Sequence, residues 1–180
     1  MGRWIFGFIV GFLLLPVLAF LYVFFGYAPV ATAGAPLPLE RYMAHLALKA
    51  RIHKEMPKDS PVQPTEANLT AGAKIYRDYC AVCHGTAAEP MTATAKGMFP
   101  PPPQLLQGKG VTDDPAGETY WKVANGIRLT GMPAYYGSLT NVELWQVSQF
   151  LAHANELPNS ARQIVAGPKN APRQPGASDP

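Results

Sequence analysis

Cys80-Ala81-Val82-Cys83-His84 contains the only two cysteines of the 180-residue chain. Two thiols at this spacing can add to the two vinyl groups of a haem, and the adjoining histidine then lies against the iron. On this reading Cys80 and Cys83 are thioether anchors and His84 is the proximal iron ligand. Three plainer readings explain less. A thioredoxin-like dithiol needs a βαβ setting, and no alternating strand runs flank the motif. A zinc site needs a second Cys or His pair at ligand spacing, which is missing. A structural disulfide leaves His84 without a purpose.

Working outward, apolar residues make up 48% of the chain and charged residues only 15%. The skew is local. After Arg3 no charge appears before Glu40, and the 24 residues from Trp4 to Tyr27 are almost wholly apolar. As a helix they span about 36 Å, enough for a hydrocarbon core of about 30 Å. A signal peptide has a shorter apolar region, about 7–15 residues, although Ala31-Thr32-Ala33 offers a cleavage site. Residues 1–27 are therefore read as a retained transmembrane anchor, in the bilayer through residues 4–27. Arg3 and the amino terminus keep the short end cytoplasmic, which puts the rest outside, where bacteria attach haem covalently. Trp4, Tyr22 and Tyr27 suit an aromatic belt. Pro16 is tolerated in a membrane helix. Gly7 and Gly11 form a close-packing face for another transmembrane helix, or a chance spacing.

Residues 28–56 form a juxtamembrane segment in which Leu39, Met43, Leu46, Ala50 and His53 share one stripe of a basic helix. Such a helix lies on a lipid surface or against a partner. His45 and His53 are read as inert. Residues 57–67, punctuated by proline, reach about 34 Å if extended and are read as a linker separating membrane part from domain. The domain is placed at 68–156. Asn68 or Thr70 caps a helix that runs through Gly72 and Tyr76 into the motif. The run Pro100–Pro103 excludes helix and central strand and is read as an extended wall beside the haem face. Asp114-Pro115 reads as a cap followed by proline at the first helical position, and Glu118 to Asn125 as a helix stopped by Gly126. Thr140-Asn141-Val142-Glu143 is a capping box opening a last helix with Leu144, Val147, Ser148 and Leu151 on one stripe. Residues 157–180, rich in Pro, Ala, Gly and Ser, are expected to be disordered.

Met132, in a glycine-bracketed Met-Pro loop, is the candidate sixth ligand. Met1, Met43 and Met56 lie outside the domain, and Met91 and Met98 follow His84 too closely to cross to the other face. Met132, 48 residues on, has ample reach.

Net charge is +3, with the excess on the flanks: residues 68–156 carry six Lys/Arg against seven Asp/Glu. No basic patch is interleaved with aromatics, so nucleic-acid binding is not expected.

Over about 68–155 the chain resembles the class I monohaem cytochromes c. The resemblance rests on the Gly72/Tyr76 helix leading into Cys80-Ala81-Val82-Cys83-His84, then Asn125-Gly126-Ile127, Gly131-Met132-Pro133 and an apolar terminal helix. It implies an all-α fold: a class I cytochrome c domain, here preceded by one transmembrane helix and a short amphipathic helix. It also implies one covalent haem c, His84/Met132 axial ligation and one-electron transfer at an exposed haem edge. In that family a proline carbonyl commonly orients the proximal histidine, and Pro100 to Pro103 offer the candidates. With both axial positions filled, the expected role is electron carrier or electron-transfer subunit rather than enzyme. Its donor and acceptor would be respiratory or photosynthetic membrane complexes, reached by a single-pass protein on the periplasmic face of a bacterial inner membrane. The alternative is a haem enzyme or gas sensor with a labile sixth ligand. No distal acid–base pair supports it, since the domain's other histidine, His153, reads as a surface residue.

Overall fold

A computed structural model describes residues 2–89, 91–107 and 114–166. Every regular element among them is helical, as the sequence leads one to expect. The chain divides into two compact units, 1–42 and 43–180.

In the first unit, α1 (Gly2–Phe24) is long and apolar enough to cross a membrane, and all of its described side chains are exposed. Pro16 lies within it. Tyr22, in its last turn, stacks on Tyr27 just beyond its end, with ring centroids 6.1 Å apart.

The second unit takes in most of α2 (Glu40–Glu55). The residue that α2 buries is Ile52, which lies off the expected stripe, while Met43 and Leu46 stay exposed. The indole N–H of Trp121 donates to the Glu55 carboxylate at 3.1 Å, and the Pro57 carbonyl sits against Gly117 where a side chain would collide. The stretch 57–67 therefore does not stand clear as a separator. Its Val62 carbonyl accepts from Gln149 at 2.9 Å, because that buried amide needs an acceptor.

Helix α3 (Glu66–Ile75) starts earlier than predicted. Thr65 is the N-cap, its hydroxyl accepting from the Asn68 amide. Asn68 is instead used sideways, donating to the Gln63 carbonyl and accepting from Gln146. A five-residue π-helical turn, Tyr76–Cys80, then leads into α4 (Ala81–His84). The sequence suggests an unbroken helix here. The wider turn leaves Tyr76 fully buried while Tyr79 and Cys80 line a cleft.

After α5 (Ala93–Lys96) and the proline wall comes α6 (Ala116–Asn125), capped at Pro115 rather than by Asp114. The Asp114 carboxylate instead holds Lys122 Nζ at 2.9 Å, alongside Glu118 at 2.7 Å. Helix α7 (Asn141–Ala152) opens with the full Thr140/Glu143 capping box. Tyr120 of α6 stacks on Trp145 of α7 at 4.3 Å.

Where a disordered tail is expected, α8 (Asn159–Ala166) closes the domain. Ala161 and Val165 recur at helical spacing and are buried, and Ser160 donates to Glu66 at 2.8 Å. The rest of that expected tail, 167–180, lies outside the described residues.

The core is the crossing of α3 and α7. An atom added at Gly72 would run into the Gln146 carbonyl and lie 2.7 Å from Phe150 Cβ. Only a bare Cα admits so close an approach. One turn on, the Tyr76 and Phe150 rings meet at 5.5 Å, both with no exposed surface. Burying each ring contributes about 1.5–3 kcal/mol. Gly72→Ala is expected to cost at least about 2–3 kcal/mol, because backbone must move to admit the methyl group. Denaturant midpoints of wild type and variant measure it.

Candidate functional site

Four pieces of chain converge on one open, mainly apolar cleft. The end of the π turn and α4 supply Tyr79, Cys80, Cys83 and His84; the wall supplies Met98 and Pro100–Pro103; the loop after α6 supplies Ile127 and Thr130–Pro133. Leu151 comes from α7. The structure thus brings Cys80, Cys83, His84 and Met132 to one cavity. Gly7 and Gly11, in the first unit, have nothing within 4 Å of an added side-chain atom.

His84 ends α4, and Gly85 follows at φ +72, a conformation that turns the chain away at once. Tyr76 donates its buried hydroxyl to the Gly85 carbonyl at 2.8 Å, so the core ring also holds this turn. The His84 Nδ1 lies 2.7 Å from the Pro103 carbonyl. A carbonyl only accepts, so Nδ1 carries the proton and Nε2 presents a lone pair. Among the four prolines, Pro103 is the one in contact. Burial lowers the pKa of His84, opposed by this hydrogen bond, and so favours the neutral ring.

Burial, and then the charge of Cys83, push the Cys80 thiol up to about 12. A redox dithiol needs the opposite, a depressed thiol pKa, so the electrostatics argue against thioredoxin-like chemistry. Burial, then the two cysteines and Tyr79, likewise push Tyr135 up to about 12. No group of three or more His, Cys, Asp or Glu able to hold a metal ion occurs among the described residues.

The Met132 loop is pinned at both ends. Gly126 stops α6 at φ +65, with its N–H bonded to the Lys122 carbonyl. Inside the loop, Ile127 N–H donates to the Met132 carbonyl at 3.2 Å, and Met132 N–H donates to the Thr130 hydroxyl at 3.1 Å. The chain then returns to α6, Tyr135 N–H donating to Val123 and Tyr136 N–H to Ala124.

Three contributors escape sequence reasoning. Tyr79 and Tyr135 meet edge-on at 6.0 Å, and the Tyr135 hydroxyl donates to the Tyr79 carbonyl at 3.2 Å. Met98 lines the cleft, its thioether packed against Gly131. Met98, set aside as the sixth ligand because it follows His84 closely along the chain, still reaches the cleft lining. His153, half-buried and within reach of the Gln149 carbonyl at 2.9 Å, is absent from the cleft lining.

Residues 67–151 match the family model of cytochrome c oxidase, cbb3-type, subunit III. This segment is a monohaem c-type cytochrome domain. A domain of this family carries covalently bound haem c, and the cleft suits it: apolar walls, two unpaired thiols and an imidazole nitrogen held ready. Over 144 residues the chain is 28% identical to the thiosulfate dehydrogenase of Stutzerimonas stutzeri (strain A1501), covering 77% of this chain and 45% of that one. The chain thus spans less than half the length of that curated relative. Among solved structures, it is similar to a chain of the reducing HAO-like protein complex of Kuenenia stuttgartiensis, with 24% identity and a TM-score of 0.44, covering 57% of this chain and 52% of that one.

The glycines of the Met132 loop differ in what a side chain would meet. At Gly126 it meets backbone, the Ala134 nitrogen and Pro133 carbon at 2.7 Å; at Gly131 it meets the flexible end of Met98. Gly126→Ala is expected to cost about 2–3 kcal/mol and Gly131→Ala clearly less, since Met98 can turn aside. Paired denaturant melts of the haem-loaded variants check the order.

Proposed function

We propose that this protein is a one-electron carrier, or an electron-transfer subunit, in which Cys80 and Cys83 anchor haem c and His84 and Met132 are its axial ligands. The observation that carries the reading is the His84 Nδ1 to Pro103 carbonyl contact at 2.7 Å in a cleft that Met132 also lines. The carbonyl fixes the tautomer and ring orientation, as second-shell acceptors do at metal sites. Met132 comes from a loop whose backbone is tied by internal hydrogen bonds, so its place is set without help from the haem. The bound haem supplies a ferric/ferrous couple, and His/Met ligation raises its potential. Aliphatic and proline side chains line most of the cleft.

The helix α1 supports a single-pass anchor in a bacterial inner membrane, with the haem domain on the periplasmic face. A tether of this kind raises the effective concentration of the carrier near membrane redox complexes, its proposed donor and acceptor. Gly7 and Gly11 offer a face for docking on one of their helices.

The name of the Stutzerimonas relative favours a second reading, that the chain takes part in thiosulfate oxidation. With both axial positions filled, no thiosulfate-dependent turnover is expected from the protein alone in a dye-reduction assay. Steady turnover would favour the enzyme.

The ligands are assigned by optical spectra of haem-loaded protein. Wild type is expected to be low-spin with the weak far-red sulfur–iron band. Met132→Ala is expected to lose that band, and Met98→Ala to keep it. The reverse pattern would make Met98 the ligand; a high-spin wild type would open the sixth position and favour catalysis or sensing.

A further inference from the structure

We propose that α2 is an interfacial helix whose outer face rests in an anionic lipid surface while its inner face is fastened to the cytochrome domain. The proposal rests on the anchored reading above and decides what kind of tether it is. Tyr42, Met43 and Leu46 are 63%, 56% and 50% exposed, and the helical repeat groups them with Ala50 and His53 on one stripe. Leu48, Ile52 and Glu55 fall on the opposite side. That side is engaged: Ile52 is buried, Glu55 accepts from Trp121, and Pro57 just beyond presses on Gly117. The domain that buries one face of α2 therefore leaves the apolar stripe open.

The charges identify the occupant. Exposed Lys49 and Lys54 border the stripe on its two sides. On a bilayer, lysine stems lie along the apolar stripe and the ammonium groups reach the phosphates. A helix laid in a protein groove would bury those borders and strip both charges of water. Residues 40–55 carry four Lys/Arg against two Asp/Glu, which favours anionic headgroups. A bilayer is at hand, because α1 ends at Phe24 and α2 begins at Glu40. Held this way, the domain is seated at the lipid surface instead of swinging on a flexible leash.

The test uses full-length, haem-loaded protein in vesicles of phosphatidylglycerol and phosphatidylethanolamine. A nitroxide is placed at Leu46→Cys or, on another face, at Arg51→Cys, and its collisions with oxygen and with a water-soluble nickel chelate are measured. Oxygen is expected to prevail several-fold at position 46 and the nickel chelate at position 51. Adding Lys49→Glu and Lys54→Glu is expected to return the label at 46 to water. Nickel prevailing at both positions would overturn the proposal. So would exclusion of both reagents at 46, the mark of a protein contact. Intact mass of the same sample reports whether α1 is retained, so loss of the anchor and failure of α2 to dock are separate results.

Discussion

The bare Cα of Gly72 against the Gln146 carbonyl is the constraint on which the rest of the domain depends. It lets α3 and α7 cross in backbone contact, so that one turn later Tyr76 can reach Phe150. Tyr76 couples that core to the chemistry, since its hydroxyl holds the Gly85 turn next to His84. A helix crossing in α3 thus sets the position of His84 at the end of α4. The π turn between them gives the one-residue change of register that sends Tyr76 inward and Cys80 to the cleft.

The opposite side of the cleft is built by a different device. No long helix carries Met132; it sits in a loop whose two ends are tied to the same helix, at Gly126 and through Tyr135 and Tyr136. Such a loop has little conformational freedom left to lose, which suits the ligand role proposed for Met132. The wall joins the two sides, Met98 packing under the Met132 loop and Pro103 bracing His84. The raised thiol pKa of Cys80 fits the same picture: an apolar cleft disfavours thiolate and favours a neutral, covalently held group.

Much of this was legible because the chemistry lies in short strings. Cys80 to His84 reads as a haem-attachment motif within five residues, and Thr140 with Glu143 specifies where α7 begins. What escaped was set by contacts between distant segments. Four consecutive prolines are equivalent in sequence, and only the path of the wall selects Pro103. Met98 follows His84 closely along the chain, yet it reaches the cleft lining beside Gly131. Composition masked α8, because Ala161 and Val165 form a buried pair inside a stretch rich in Pro, Gly and Ser. The same happened at 57–67, where prolines announce an extended chain but not that Gln149 would fasten it.

The central claim is electron transfer at a haem whose iron has no vacant position. It is tested most directly by spectroelectrochemical titration of the haem-loaded protein, with carbon monoxide added to the reduced form. A single reversible one-electron wave, with a reduced spectrum unchanged by carbon monoxide, is the expected result. Prompt carbon monoxide binding by the untouched protein would contradict it and shift the function to catalysis or gas sensing.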